Sequence, residues 1–364
     1  MKQLTDTFYI RNHQIKNRIG AAPMGNASQT DDNGKVSPKT IDHYRKVARS
    51  GTAWITLGHV AVSEKYPAKT FVPGQTTQTQ ICSDEYVDGL LKLTEAVHSE
   101  GAKIVCQIEH GGMRSAVKNP PAPSAHPVPF TDGKELCHPL TLQEIIEEER
   151  SFWEAGRRVY EAGFDGVEIS ASNGWMLHNW TNRLINLRDD EYGKNRLLIV
   201  REVFQGIRKQ VPDSFIIGVR MAGNNPDLKD GLEQAIEMEK IGFDYISLCN
   251  NPMLTWMPQN IDLPKDYKYA MQFYSAQEIK KVVNVPVLCA NSIRTTEDAT
   301  SALQETDVDM ILIGRGMLCD PDWTGKALKG EKQITCLHCL PHCKWKYGER
   351  CAAILASRGD KTIN

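Results

Sequence analysis

Short apolar stretches recur along the chain, and most are followed by a polar loop and a segment of helical periodicity. Apolar runs that are rich in β-branched residues and bounded by polar ones predict buried strands. Eight strands are predicted, at Arg18–Met24, Ala53–Gly58, Lys103–Ile108, Phe164–Ile169, Phe215–Arg220, Phe243–Leu248, Val285–Ala290 and Val308–Ile313. The predicted helices include Ser83–Glu100, Leu142–Ala162, Asn195–Gln210, Asp230–Ile241, Ser275–Val282 and Thr296–Gln304.

The alternation of these strands and helices predicts the fold class. Nearly continuous apolar strands are typical of a parallel sheet covered by helices, and eight strand–helix units predict an α/β protein with a closed (β/α)8 TIM barrel. A doubly wound sheet is the alternative. It calls for a Gly-x-Gly-x-x-Gly turn after the first strand, and residues 25–28, Gly-Asn-Ala-Ser, do not supply one.

The chain is predicted to have two parts. The barrel should occupy residues 1–330, and a short Cys-rich tail should occupy residues 331–364. Thr141 and Glu144 have the spacing of a capping box at the start of one helix, and Gly163 stands where that helix should end. The Pro-rich segment Met113–Leu140 lacks periodicity, so we expect it to cross the mouth of the barrel.

The composition is that of a globular protein without a strongly charged surface. Of 364 residues, 41% are hydrophobic and 24% charged, and 43 Lys and Arg against 45 Asp and Glu give a net charge of -2. This balance supplies no field that would attract nucleic acid or an anionic membrane. The N-terminus Met1–Ile10 has no signal-peptide core, and no apolar run approaches the ~20 residues of a membrane helix. We therefore expect a cytoplasmic protein.

The ten cysteines are unevenly distributed. Without a signal peptide we interpret them as thiols or ligands rather than disulfides. Six are scattered, whereas four lie in the last 30 residues, at Cys336, Cys339, Cys343 and Cys351. Thiolates at this density favour zinc or an iron–sulfur cluster. His338 and His342 could compete as zinc ligands, and an emptied remnant of a metal site is the third alternative.

Polar residues close most of the predicted strands, at the end of a barrel where active sites lie. The last two strands run into Asn291-Ser292 and Gly314-Arg315-Gly316. Loops at these two positions of a barrel frequently bind phosphate through backbone N–H groups. The sequence therefore predicts a phosphorylated ligand.

These motifs resemble the old yellow enzyme family of FMN-dependent NAD(P)H:flavin oxidoreductases. The resemblance covers the whole barrel, and the shared order and spacing of the motifs carry it. They are Asn17-Arg18-Ile19, Ala22-Pro23-Met24, Gln107-Ile108-Glu109-His110-Gly111, Ala162–Ile169, Asp189-Asp190-Glu191-Tyr192-Gly193, Gly218-Val219-Arg220, Ile313-Gly314-Arg315 and Asp320-Pro321. Membership implies FMN as the cofactor and NADH or NADPH as the electron donor.

The resemblance also implies roles for individual residues. The loop at residues 23–25 would lie along the flavin, and Gly58 would lie near the ring. Gln107 would pair with the pyrimidine edge, and Arg220 would stabilise the negative charge of the reduced flavin. The phosphate loops usually carry glycine where Asn291 and Ser292 stand. The implied cofactor-binding residues are Pro23, Met24, Gly25, Gly58, Gln107, Arg220, Asn291, Ser292, Gly314 and Arg315.

The chain departs from the family after the fourth strand. The family commonly has His-x-x-Asn or His-x-x-His followed by Gly-Tyr, where the first pair binds a substrate oxygen and the Tyr protonates the substrate. Here Ser170 replaces the first His, Asn173 is retained and Trp175 replaces the Tyr. These three are the predicted catalytic-site residues. An indole N–H has no useful acidity, so the proton must come from another donor. The candidates are His178, Tyr267, Tyr269 and water.

The tail resembles the subgroup of the family related to 2,4-dienoyl-CoA reductase, trimethylamine dehydrogenase and bile-acid flavin oxidoreductases. In that subgroup Cys-x2-Cys-x3-Cys and a more distant fourth Cys bind a [4Fe–4S] cluster. Cys336, Cys339 and Cys343 match the first three positions, but the spacer before Cys351 is shorter. Subgroup members continue into nucleotide-binding domains, whereas this sequence ends at Asn364.

The resemblance favours an ene-reductase that passes hydride from reduced flavin to the activated C=C bond of an α,β-unsaturated carbonyl compound. Two alternatives stay open, a flavin/iron–sulfur dehydrogenase that oxidises an amine and a non-catalytic electron-transfer subunit. A hydrophobic small-molecule substrate, a redox partner protein and a homo-oligomer are all compatible with the sequence. Candidate pocket-wall residues are Trp175, Trp180, Met253, Trp256 and Met257.

Overall fold

The structure, a computed structural model, describes residues 1–25, 30, 33–67, 78–129, 131–249, 262–339, 343, 345 and 349–359. Its centre is a closed barrel of eight parallel strands that neighbour one another in chain order. These are β3 (Ile19–Ala21), β4 (Trp54–Ala61), β5 (Lys103–Glu109), β8 (Gly166–Ala171), β9 (Ile216–Ala222), β10 (Ile246–Cys249), β11 (Val287–Ala290) and β12 (Met310–Ile313). The predicted TIM barrel and all of its strands are confirmed.

In the described part of the chain, four short strands lie outside the barrel, and helices cover its outer face. The strands are β1 (Phe8–Ile10), β2 (His13–Ile15), β6 (Pro121–Ala122) and β7 (His138–Pro139). The helices are α1 (Pro38–Arg49), α2 (Val87–His98), α3 (Leu142–Glu161), α4 (Met176–Thr181), α5 (Glu191–Lys194), α6 (Leu198–Arg208), α7 (Leu228–Ile241), α8 (Met271–Lys280), α9 (Thr296–Thr306), α10 (Arg315–Cys319), α11 (Trp323–Lys329) and α12 (Ala352–Ser357).

The predicted signals at the ends of α3 are confirmed. The Thr141 hydroxyl accepts from the Glu144 amide, and the Glu144 carboxylate accepts from the Thr141 amide, which completes the capping box. Gly163 follows the helix with a φ of 77°, in the left-handed region that favours glycine. The capping box fixes where α3 begins, and Gly163 fixes where it ends. The end of α3 in turn sets where β8 enters the barrel.

The hairpin of β1 and β2 closes one end of the barrel. Ile10 and Ile15 are fully buried there and belong to a cluster that includes Trp54 at the start of β4. Arg11 Nη1 donates to Asp244 Oδ1 at 2.7 Å, just before β10 begins. The hairpin therefore covers the ends where the strands start, which leaves the other end for the functional site.

The Pro-rich segment Met113–Leu140 contains β6 and β7, which pair in parallel. Met113, Ala122 and Cys137 form a small apolar cluster with Ile185, separate from the main core. Because Met113 follows β5 and Ile185 follows β8, this cluster lies at the carboxyl ends of the strands. The segment sits at the barrel mouth, as the sequence predicts.

Helices α3 and α6 bury an acidic pair between them. Glu149 is only 2% exposed. The Tyr192 hydroxyl lies 2.7 Å from Glu202 Oε2 and 3.5 Å from Glu149 Oε1. Burial first, and then the neighbouring Glu202 carboxylate, raise the pKa of Glu149 from 4.5 to about 9.

We expect Glu149→Gln to stabilise the protein at alkaline pH. A carboxyl whose pKa is raised by folding contributes stability that is complete below pH 4.5 and is lost as the pH rises through about 9. The loss should be on the order of 1 kcal/mol per pH unit. Gln cannot ionise, so the variant should lack this decline in urea unfolding between pH 5 and 9. Glu147→Gln, an exposed change on the same helix, is the control, and parallel profiles for Glu149→Gln and wild type would contradict the assignment.

Candidate functional site

A buried polar layer crosses the barrel interior near the carboxyl ends of the strands. Gln107 Nε2 donates to Glu168 Oε1 at 2.6 Å, and the Tyr245 hydroxyl donates to Glu168 Oε2 at 3.1 Å. Arg220 Nη1 donates to Ser247 Oγ at 2.6 Å. Burial raises the pKa of Glu168, and the Arg220 guanidinium opposes that rise. Gln107 and Arg220 therefore belong to one connected polar layer.

A cavity of about 200 Å³ opens at the carboxyl ends of the strands. It brings together predicted residues from β9 and from the loops after β3, β11 and β12. These are Pro23, Met24, Arg220, Asn291, Ser292, Gly314 and Arg315. Cys249, Gln272 and His338 also line it and were not predicted. Gly25, Gly58 and Gln107 are not among the lining residues.

Close backbone approach explains the glycines beside this cavity. A Cβ on Gly58 would lie 2.7 Å from the backbone of Pro23 and Met24. A Cβ on Gly314 would lie 2.9 Å from the Met24 sulfur. Real Cβ atoms do not approach so closely, so only glycine fits at Gly58 without moving the backbone. The loop after β3 is thus held directly against the ends of β4 and β12.

The loop after β11 keeps the backbone conformation that glycine usually supplies. Asn291 has a φ of 131° and Ser292 a φ of 58°. Asn291 Nδ2 donates to Gln272 Oε1 at 2.8 Å, which secures the strained turn. Left-handed turns expose successive backbone N–H groups to anions, and Arg220 and Arg315 add two guanidinium groups to the same cavity. This donor set fits the phosphate of a bound FMN.

We expect Ser292→Gly to raise the free energy of unfolding by about 1 kcal/mol, because glycine adopts the left-handed conformation without strain. The affinity for FMN should not fall, since the backbone N–H groups are kept. Urea unfolding and flavin titration measure the two quantities. Ser301→Gly inside α9 is the control and should cost up to ~1 kcal/mol. A Ser292→Gly protein that is less stable than wild type would contradict the expectation.

The predicted catalytic-site residues lie together at the end of β8. Ser170 pairs in register with Arg220 of β9. Asn173 has a φ of 56°, and its side-chain oxygen lies 3.3 Å from the Cys249 sulfur. The Trp175 ring stacks under the Arg114 guanidinium at 4.1 Å. These contacts place Trp175 in the wall of the mouth.

A histidine and a glutamate beside Trp175 were not assigned a role from the sequence. His59 Nδ1 lies 2.7 Å from Glu109 Oε2, and the Gln78 amide donates to Glu109 Oε1 at 2.6 Å. The His59 ring meets the Trp175 ring edge-on at a centroid distance of 6.0 Å. The available sequence signal was that both residues end neighbouring strands, β4 and β5, where the barrel brings them together.

The candidate proton donors from the sequence occupy less suitable places. His178 is fully buried and its Nδ1 accepts from the Gly174 amide, and burial lowers its pKa to about 3. Tyr267 and Tyr269 pack against each other, and burial raises the pKa of both, to about 12 for Tyr269. His178 is therefore neutral, and neither tyrosine is made more acidic by its surroundings.

Several other residues named in the sequence analysis, including His110, which was not assigned to the site, are core or fall outside the described residues. Trp180 is fully buried in the main core, so it packs the fold rather than lining the mouth. His110 is also fully enclosed, with Nε2 3.0 Å from Glu148 Oε2 and Nδ1 accepting from the Gly112 amide. Met253, Trp256, Met257 and His342 lie outside the described residues.

The four tail cysteines line one small cavity. Cys336, Cys339, Cys343 and Cys351 surround it together with Cys319, the last residue of α10, which was not predicted. Its volume is about 20 Å³. In the part of the chain that the structure describes, no three His, Cys, Asp or Glu side chains are arranged to hold one metal ion. The structure thus brings the four predicted cysteines to one cavity, but within the described residues it does not arrange them as a metal site.

The tail packs directly against the loops that line the larger cavity. Arg315 lines both cavities, and Arg294 Nη2 donates to the Cys336 carbonyl at 2.9 Å. His338 lines the larger cavity and not the cysteine cavity. The two cavities therefore share a wall at Arg315. Within the described residues, no helix is both long and apolar enough to cross a membrane.

Comparisons with known proteins show the family to which the chain belongs. The family model described as "NADH:flavin oxidoreductase / NADH oxidase family" matches residues 4–333. The chain is 34% identical to a metal reductase of Desulforamulus reducens over 91% of this chain and 49% of that protein. It is 31% identical to a cinnamate reductase of Clostridium sporogenes over 94% of this chain and 55% of that protein. It thus spans about half the length of these curated relatives.

A solved structure gives the same picture over the full length of a shorter relative. The old yellow enzyme homologue from Zymomonas mobilis superposes with a TM-score of 0.73 and 25% sequence identity. The match covers 92% of this chain and 95% of that one. The barrel fold is therefore shared with a solved old yellow enzyme homologue.

Proposed function

The chain belongs to the NADH:flavin oxidoreductase / NADH oxidase family, and we propose that it is an FMN-dependent ene-reductase. In this proposal NADH or NADPH reduces the cofactor, and an α,β-unsaturated carbonyl compound is the substrate. The similarity to a cinnamate reductase supports this substrate class. The observation that carries the proposal is the cavity that joins two arginines to a left-handed turn after β11.

The residues around the cavity divide the work of holding FMN. Asn291, Ser292 and Gly314 would bind the phosphate through backbone N–H groups, and Arg315 would neutralise its charge. Arg220 would oppose the negative charge that builds up when the cofactor is reduced. Bound FMN supplies the hydride, which the protein side chains cannot supply.

Two measurements test the proposal. Purified protein should release FMN on denaturation, and anaerobic protein should be bleached by NADH or NADPH and reoxidised by 2-cyclohexen-1-one or cinnamaldehyde. Reduction without reoxidation by any enone would favour the amine-oxidising or electron-transfer alternatives. Protein that neither retains nor rebinds FMN would refute the proposal.

We also propose that the tail cysteines bind a [4Fe–4S] cluster next to the flavin, as the sequence subgroup suggests. Support comes from the position of all four cysteines around one cavity. This cavity also shares a wall at Arg315 with the larger cavity that would hold FMN. Soft thiolates suit such a cluster, which passes single electrons. The cavity as it stands has room for about one water molecule, so loading would require the tail to move outward.

Elemental analysis of anaerobically prepared protein tests the cluster. About four irons and four acid-labile sulfides per chain are expected for a [4Fe–4S] site, whereas one zinc and no sulfide would refute it. Cys343→Ser should lose the iron, and Cys82→Ser, far along the chain, is the control. If Cys351→Ser retains iron and Cys319→Ser loses it, Cys319 replaces Cys351 as the fourth ligand.

A further inference from the structure

The reduction of a C=C bond needs a proton as well as a hydride, and a partly exposed histidine, His59, lies beside Trp175 at the mouth of the barrel. We propose that His59, oriented by Glu109, is the proton donor to the substrate. This inference rests on the proposed ene-reductase function.

The backbone at His59 is distorted in a way that redirects its side chain. Pairing between β4 and β5 shifts register between Leu57 and Val60, so a β-bulge contains Gly58 and His59. His59 has a φ of 62°, in the left-handed region that is uncommon for residues other than glycine. Bulges beside active sites commonly re-aim a side chain, and strained residues persist only where the surroundings hold them.

The surroundings of His59 hold it at two points. Glu109, which is only 1% exposed, engages ring nitrogen Nδ1 at 2.7 Å. Gln78 Nε2 donates both to Glu109 Oε1 at 2.6 Å and to the His59 carbonyl at 2.8 Å. A buried carboxylate on one ring nitrogen fixes the orientation of the ring. Nε2 is then the nitrogen that faces away from Glu109.

The ring also stands where a substrate can reach it. Its side chain is 27% exposed, whereas those of His110 and His178 are fully buried. A Cβ on Gly25 would lie 3.4 Å from His59 Cδ2, so the ring packs against the loop that follows Pro23 and Met24. Trp175 flanks it on the other side. His59 is thus a partly exposed side chain between the loop after β3 and the predicted catalytic-site residues.

The proposed step adds a hydride and a proton across the C=C bond of the substrate. The substrate gains a hydride at its β-carbon from the reduced cofactor, which is thereby oxidised by two electrons. Its α-carbon takes a proton from Nε2 of the His59 imidazolium, so that two new C–H bonds replace one C=C π bond. The neutral imidazole keeps its Nδ1–H on Glu109 and takes a proton from water before the next turnover.

Separate half-reactions of the holoenzyme test this role. We expect His59→Asn, which tolerates the left-handed φ, to be reduced by NADH or NADPH within about threefold of wild type. Its reoxidation by 2-cyclohexen-1-one should slow by about 100-fold, the usual contribution of a general acid. Reoxidation by ferricyanide, which accepts electrons without a carbon-bound proton, should be unchanged.

His98→Asn is the matched control, and His59→Gly is a second variant at the same position. His98→Asn removes another histidine–carboxylate pair, His98 with Asp165 at 2.8 Å before β8, and should leave both half-reactions unchanged. His59→Gly relieves the strain and leaves room for the ring, so added imidazole should restore part of the enone reaction. It replaces His59→Asn if that variant does not retain FMN.

Glu109 is a positioning residue in this scheme, and a double-mutant cycle tests it. If Glu109 acts through His59, Glu109→Gln should slow enone reoxidation when it is the only substitution. The same change made in the His59→Asn variant should slow the reaction little further. Enone reoxidation of the His59 variants at the wild-type rate would overturn the inference alone. Wild-type protein that is reduced but never reoxidised by an enone would overturn the proposed function and this inference together.

A second outcome would also overturn the role of His59. If Tyr66→Phe slowed enone reoxidation and the His59 variants did not, Tyr66, whose ring lies 5.2 Å from that of His110, would be the proton donor.

Discussion

Arg220→Ala should slow reduction of the bound flavin by NADH or NADPH by about 100- to 1000-fold, the usual cost of losing a preplaced charge-stabilising group. Arg220 is 7% exposed and lines the larger cavity, so its charge acts at short range and with little screening by water. Stopped-flow absorbance under anaerobic conditions measures the rate, and the flavin reduction potential should become more negative.

The charge-conserving variant makes the Arg220 result interpretable. Arg220→Lys keeps the cation but loses the planar guanidinium that donates to Ser247, so we expect a smaller loss of about tenfold. Flavin content of each variant separates weaker binding from slower chemistry. Unchanged reduction kinetics in Arg220→Ala would show that the residue only completes the polar layer with Glu168.

Gly58→Ala should cost about 1–3 kcal/mol of stability from overpacking and should weaken FMN retention at least tenfold. The added methyl group would lie 2.7 Å from backbone atoms of Pro23 and Met24, which cannot yield as a flexible side chain can. The loop after β3 would have to move away from the ends of β4 and β12. Thermal unfolding and equilibrium flavin titration measure the two effects.

Gly89→Ala is the matched control for this change. Gly89 lies inside α2, where its Cβ would meet only a side-chain atom of Val36 at 3.3 Å, and alanine favours the helix. Its stability should be equal to that of wild type or higher by up to ~1 kcal/mol, with unchanged FMN binding. If Gly58→Ala binds FMN as tightly as Gly89→Ala, the close approach has no role in the cofactor site.

The barrel was predictable because each of its units has a local signature. Apolar runs mark the strands, and the capping box at Thr141 and the glycine at Gly163 mark the ends of α3. The carboxyl ends of the strands in a parallel barrel must meet at one face. The sequence alone therefore predicts that Arg220, Asn291 and Gly314 lie together. Local pattern and chain order were sufficient for this part of the site.

What the sequence missed depends on contacts between distant residues. The bulge that turns His59 toward the mouth arises from the register of β4 against β5, which leaves no mark in the residue types. Cys319 lines the same cavity as the tail cysteines, and the sequence does not show that α10 and these cysteines lie together. Trp180 was assigned to the pocket wall because an aromatic residue after a strand can face either the mouth or the core, and only packing decides between them.

The hairpin of β1 and β2 also constrains the order of events in a catalytic cycle. Because Ile10 and Ile15 fill the end where the strands start in the described part of the chain, we expect small molecules to approach the cofactor cavity from the opposite end. If that opening is shared, the nicotinamide and the second substrate have to take turns, and each excludes the other while it is bound. Steady-state rates should then follow a double-displacement pattern, with parallel lines in reciprocal plots and inhibition of each half-reaction by excess of the other reactant.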